Sequence, residues 1–356
     1  MILDDMKGMG RLDPEGMLDR IVEMPAQCRI AWEQVMAFDL PPAYELAREV
    51  VILGMGGSAQ GGDLLRTLAA AESHLPVLVN RQYTVPAFVG ERTLVIASSY
   101  SGNTEETLAA LQSALEKGAM GLVVSTGGKV GRIAEEQDLP LFRIRYKTVP
   151  RAALAHTFVP ALGIFQKLGF ISDKTQGLAE AAGVMEQLQG VIGPQVPGQE
   201  NPAKQLAQRL YGKLPVVYGA GTMGVVARRW KGQLNENSKS WAFFEEMPEL
   251  NHNAVLGTRL PDGFPQQTVV LMLTSEDDHP RNRLRYQVTR ELLERDNVEV
   301  HMVEARGDGR LARMLSSIHF GDFVSFYLAM LNGANPTDTG AIEGLKEQMA
   351  QRGQAG

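Results

Sequence analysis

The sequence contains little cysteine, no long apolar stretch and no excess of basic residues. Its only cysteine among 356 residues, Cys28, excludes an internal disulfide and a metal site built on cysteines. No apolar run approaches the roughly 20 residues that cross a bilayer, and the first residues lack the pattern of a signal peptide. A net charge of −6 disfavours binding to nucleic acid or to anionic membranes. We therefore expect a cytoplasmic protein with a small-molecule partner and no nucleic-acid or membrane partner.

The chain is longer than one hydrophobic core usually supports, so two domains are expected. Short β-branched runs alternate with helical patterns in two similar blocks, which begin near residues 49 and 214. This alternation predicts an α/β fold with doubly wound parallel sheets. We predict domains over residues 1–160 and 203–356, with a helical segment and linker over 161–202, and disorder over 351–356.

A hydroxyl-rich loop, Ser99-Tyr-Ser-Gly-Asn-Thr104, lies between a predicted strand and a predicted helix. Such a loop directs backbone N–H groups and the positive end of the helix dipole at one spot, where the hydroxyls of Ser99, Ser101 and Thr104 converge. This pattern favours the binding of a dianionic phosphate. An ordinary helix N-cap would explain Thr104 but not the two serines before it. The glycine-rich turn 54–58 also follows a predicted strand, so both loops can border one crevice. Tight packing of strand on helix is the alternative explanation for its glycines.

A second glycine-rich turn, Gly219-Ala-Gly-Thr-Met-Gly224, matches the dinucleotide-binding pattern G-x-G-x-x-G. That site also needs an acidic residue about 20 positions on, at the end of the next strand. Glu245 and Glu246 lie at this distance, but we predict one long helix from Val225 past Leu234 and no strand before the two glutamates. We therefore interpret the motif as a turn that starts a helix, and we expect no cofactor.

Two short polar motifs follow, Asn235-Glu-Asn237 and Asn251-His-Asn253. A carboxylate and an imidazole near one crevice can act as general base and general acid. From the residues alone, His252 fits equally well as a loop histidine that binds its own backbone. The cluster Asp277-Asp278-His279 is interpreted as a surface turn, and no set of histidines has the spacing of a metal site, so we expect no metal.

These motifs together resemble the bifunctional phosphoglucose/phosphomannose isomerases, a branch of the sugar isomerase (SIS) domain superfamily. The motifs that carry the resemblance are Gly54–Asp63, Ser99–Thr107, Asn235–Asn237 and Asn251–Asn253. It extends from about residue 45 to the region of Lys346. It implies two SIS-type, flavodoxin-like αβα sandwich domains and an aldose–ketose isomerase that interconverts fructose 6-phosphate with glucose 6-phosphate and mannose 6-phosphate.

The resemblance also implies a role for each matched residue. Glu236 would be the base that moves a proton between C1 and C2, and Arg151 would steady the enediolate. His252 would open the sugar ring together with Lys346, and it would reach the site from the other subunit of a homodimer. The sugar phosphate would be held by Gly57, Ser58, Ser99, Ser101 and Thr104.

Two alternatives stay open at this point: a non-catalytic phosphosugar sensor and an isomerase of another phosphosugar. The sequence shows no helix-turn-helix segment and no basic face for DNA, which disfavours a sensor that regulates transcription. Glu236 and His252 together also exceed what binding alone requires. An aminotransferring relative would need a glutaminase domain, for which this chain has no room.

Overall fold

The computed structural model describes residues 2–353, in which strands and helices alternate along most of the chain. The strands are β1 Glu49–Leu53, β2 Val77–Asn80, β3 Thr93–Ser99, β4 Met120–Ser125, β5 Leu141–Arg143, β6 Leu214–Ala220, β7 Phe243–Met247, β8 Thr268–Thr274 and β9 Glu299–Glu304. The helices are α1 Met6–Leu12, α2 Met17–Val22, α3 Met24–Met36, α4 Gly56–Ala69, α5 Glu105–Glu116, α6 Gly128–Glu136, α7 Leu154–Lys167, α8 Thr175–Ile192, α9 Pro202–Leu210, α10 Thr222–Glu236, α11 Pro280–Arg295, α12 Arg310–Leu331 and α13 Gly340–Gly353.

The strands form two parallel sheets. The first has the order β2-β1-β3-β4-β5 and the second the order β7-β6-β8-β9. The first order is that of flavodoxin-like folds, and the second repeats it without a fifth strand. The central strand β3 is buried at every position, as a strand covered by helices on both faces must be. The predicted α/β fold with parallel, doubly wound sheets is therefore confirmed.

Strand β7 corrects the sequence analysis, which predicted no strand between α10 and Glu245. β7 pairs in parallel with β6, and both Glu245 and Glu246 lie on it. The strand was missed because it is a partly exposed edge strand with two charged residues, and so it lacks a continuous apolar run. The glycine turn before α10 nevertheless has a packing role, since a Cβ on Gly219 would lie 2.1 Å from the Met223 carbonyl oxygen.

The main hydrophobic core extends from the first sheet to the second through α7, α8 and α12. Among the described residues, α12 is long and apolar enough to span a membrane by length and composition, but 89% of its apolar window is buried inside the protein. The predicted domain boundary at residues 160 and 161 falls inside α7. Of the tail predicted to be disordered, residues 351–353 belong to α13, and the rest lies outside the described residues.

A buried polar network joins the two halves next to the predicted site. The Arg229 guanidinium on α10 donates to both carboxylate oxygens of Asp322 on α12, at 2.9 and 3.1 Å. It also donates to Gln60 Oε1 on α4 at 3.0 Å and to the Arg151 carbonyl oxygen at 3.2 Å. Because a buried charge is costly without partners, these contacts specify how α10 sits against the first half.

Candidate active site

The hydroxyl-rich loop and the first turn of α4 meet where β3 and β1 end. Ser58 Oγ accepts a hydrogen bond from the Tyr100 backbone N–H at 3.2 Å, and Ser99 Oγ donates to Thr104 Oγ1 at 3.0 Å. Thr104 occupies the N-cap position of α5, yet its side chain makes no capping hydrogen bond to the described residues. Its hydroxyl is therefore not used as an ordinary cap. Ser101, on the same loop, is exposed and accepts from the Asn103 N–H at 3.3 Å.

The same first turn of α4 lies directly against the segment that carries Arg151. A Cβ on Gly57 would lie 3.0 Å from the Pro150 carbonyl oxygen and 3.4 Å from the Arg151 Cα. Any larger residue at position 57 would push these two backbones apart. Gly57 thus brings the hydroxyl-rich loop and Arg151 to one place.

The Arg151 side chain is 2% exposed and reaches the end of α10. Its Nε donates to Asn237 Oδ1 at 2.7 Å, its Nη1 lies 3.4 Å from Glu236 Oε2, and its Nη2 donates to the Pro336 carbonyl oxygen. Burial lowers the Arg151 pKa, while the negative charge of Glu236 opposes that effect. The Glu236 side chain is 32% exposed, so a carboxylate open to solvent faces a buried cation.

Lys239 connects this site to the segment before α13. Its Nζ donates to the Glu236 carbonyl oxygen at 2.6 Å and to the Asp338 carbonyl oxygen at 2.9 Å. Burial lowers the Lys239 pKa, and the nearby Arg151 cation acts in the same direction. The sequence alone suggests no role for Lys239, because this residue lies among charged residues of the kind that usually faces solvent.

His252 and Lys346, the two ring-opening candidates, are both exposed on the surface of the chain. His252 is exposed in the short turn Glu249–His252 after β7, and Lys346 is exposed on α13. Within residues 2–353, no hydrogen bond or ion pair connects either of them to Glu236 or Arg151. One chain therefore assembles the hydroxyl loops, the cation and the carboxylate, while the two ring-opening candidates lie on its surface.

Comparison with known proteins identifies the family. Residues 199–349 match the family described as the bacterial phospho-glucose isomerase C-terminal SIS domain. A bifunctional phosphoglucose/phosphomannose isomerase of Caldicellulosiruptor bescii is 42% identical over 94% of this chain and 99% of its own. The chain belongs to the bifunctional phosphoglucose/phosphomannose isomerase family. The resemblance drawn from the motifs is confirmed, and the protein is an enzyme of the isomerase class.

Two further matches define the limits of this assignment. A D-glucosamine-6-phosphate 4-epimerase of Sulfolobus acidocaldarius is 30% identical over 63% of this chain and 68% of its own. The solved structure of a hypothetical protein from Thermus thermophilus superposes with a TM-score of 0.74, covering 98% of this chain and 94% of its own, at 18% identity. The first match shows that a different activity occurs among related sequences, and the second supports the fold alone.

Proposed function

We propose that this member of the isomerase family interconverts fructose 6-phosphate with glucose 6-phosphate and mannose 6-phosphate. The observation that carries the proposal is the 3.4 Å contact between the Glu236 carboxylate and the buried Arg151 guanidinium. The first turn of α4 connects this pair to the hydroxyl-rich loop, since Gly57 lies against Arg151 and Ser58 contacts Tyr100. Aldose–ketose isomerisation removes a proton next to a carbonyl group and returns it to the neighbouring carbon. It needs one positioned base and a cation for the oxygen that becomes negative.

Each residue of the site has a role in this chemistry. The Ser58, Ser99, Ser101 and Thr104 hydroxyls and the Gly57 amide hold the phosphate. Glu236 then moves the proton between C1 and C2. Arg151 stabilises the enediolate, because its positive charge lies 3.4 Å from the carboxylate that would take up the proton. No cofactor or metal takes part in this proposal.

We propose further that the active form is a cytoplasmic homodimer in which His252 and Lys346 complete the site. The segments that carry them expose large apolar side chains, which a second copy would cover. These side chains are Trp241, Phe243, Leu256, Leu260, Ile342, Leu345 and Met349. Burial of this surface would stabilise the dimer and bring the partner's His252 to the ring oxygen of the sugar, where it assists ring opening.

The test is a coupled assay of the purified protein with fructose 6-phosphate, in the presence of EDTA. We expect both glucose 6-phosphate and mannose 6-phosphate to form. Thermal stabilisation by these sugar phosphates without turnover would instead favour a sensor or an enzyme of another phosphosugar. The related epimerase makes amino-sugar phosphates the first alternative substrates to examine.

Substitution of Thr104 by valine is expected to weaken binding of the phosphate group. A hydrogen bond to a charged group contributes about 1.5–3 kcal/mol, which corresponds to a KM for fructose 6-phosphate raised by about 10- to 100-fold. Thr107→Val on the same helix is the control, because the Thr107 hydroxyl is buried without a hydrogen-bond partner among the described residues. An equal rise of KM in both variants would show that Thr104 has no special part in phosphate binding.

A further inference from the structure

Asn237 directly follows the proposed base and is fully buried. Its Oδ1 accepts from Arg151 Nε at 2.7 Å, and its Nδ2 donates to Ser325 Oγ on α12 at 3.0 Å. We infer that Asn237 is a positioning residue that holds the Arg151 guanidinium against Glu236. This inference rests on the proposed isomerase function, in which Arg151 stabilises the enediolate.

The direction of each hydrogen bond in this network is determined by chemistry. A guanidinium group only donates, so the amide oxygen of Asn237 must face Arg151. The amide nitrogen therefore faces Ser325, whose hydroxyl donates its single proton to the Asp322 carbonyl oxygen at 2.8 Å. Ser325 Oγ is then left with a lone pair that accepts from Asn237. The hydrogen bonds therefore have one consistent set of directions, from Arg151 through Asn237 and Ser325 to the Asp322 carbonyl oxygen. The carboxylate of the same Asp322 binds Arg229.

These contacts leave Arg151 little freedom. Its Nε is held by Asn237 and its Nη2 by the Pro336 carbonyl oxygen, so that Nη1 is the edge directed at Glu236. Removal of the Asn237 oxygen would leave a buried N–H donor without its acceptor. The guanidinium would then turn to find another partner, and its edge would no longer face the position of the developing negative charge.

The Asn237→Leu variant tests this inference, because the leucine side chain has a shape similar to that of asparagine but no polar atoms. We expect kcat for fructose 6-phosphate to fall by about 10- to 100-fold, because a small displacement of a catalytic cation has effects of this size. KM should change little, since the phosphate-binding hydroxyls lie on other segments. In an Arg151→Ala background the same substitution should have almost no effect on kcat, because its action passes through Arg151.

Ser238→Ala is the matched control. Ser238 is equally buried and donates from Oγ to the Ser325 carbonyl oxygen at 2.7 Å, but it does not contact Arg151. We expect this variant to have a lower Tm and an unchanged kcat. If Asn237→Leu fails to fold, Ser325→Ala replaces it, because it removes the acceptor of the Asn237 amide and should lower kcat with unchanged KM.

The outcomes separate this inference from the proposed function. If the wild-type protein does not isomerise fructose 6-phosphate, the proposed function is wrong and the inference falls with it. If the wild-type protein is active, two results overturn the inference alone. The first is a kcat near the wild-type value in the folded Asn237→Leu variant. The second is an equal fractional loss of kcat from Asn237→Leu in the wild-type and the Arg151→Ala backgrounds.

Discussion

The Glu236→Gln variant is expected to lose nearly all isomerase activity while it still binds sugar phosphates. Glutamine keeps the shape of the side chain and an oxygen for the 3.4 Å contact with Arg151, but it cannot take up a proton from carbon. General-base catalysis typically contributes about 10²- to 10⁴-fold to the rate, so kcat should fall by at least about 10²-fold. Binding should persist because the hydroxyl-rich loop and the first turn of α4 are unchanged.

Two measurements on the same preparation check this prediction: kcat from the coupled assay, and Kd for glucose 6-phosphate from calorimetry. Glu116→Gln serves as the control, since Glu116 is an exposed acid at the end of α5 and makes no hydrogen bond or ion pair with Arg151. It should keep wild-type activity. Substantial turnover by Glu236→Gln would assign the base to another residue, and a large loss of affinity would show that Glu236 mainly binds the substrate.

Mixed dimers of Glu236→Gln and His252→Asn chains are expected to regain activity that neither variant has alone. In the proposed dimer each site combines Glu236 of one chain with His252 of the other. A mixed dimer then has one site with both residues intact and one site with both altered. Random pairing makes about half of the dimers mixed, and in the isolated mixed dimers about half of the sites should be active.

Co-expression of the two chains with different affinity tags, followed by purification on both tags, isolates the mixed dimers for the coupled assay. The control pairs Glu236→Gln with Arg151→Ala. These residues contact each other within one chain, so no mixed site is intact and no activity should return. Inactive mixed dimers of the first pair would place Glu236 and His252 in the same chain. A protein that is monomeric by light scattering would reject the shared site altogether.

Local sequence was sufficient for most of the fold. Buried parallel strands such as β3 consist of adjacent apolar residues, and the loops at their carboxyl ends follow immediately in the chain. The hydroxyl-rich loop was therefore recognised together with the strand that positions it. β7 was missed because it is an edge strand with exposed and charged residues, and such a strand has no continuous apolar run in the sequence.

The sequence by itself determined the two α/β halves, the hydroxyl-rich loop at the end of its strand, and the family. The tertiary structure alone decided which polar groups meet, since Arg151 and Glu236 are separated by 85 positions in the chain. Their contact depends on how α10 packs against the first half through Arg229 and Gln60, and no local pattern encodes that geometry. Asn237 acquires its proposed role in the same way, because a buried hydrogen-bond network exists only once α10 and α12 are packed together.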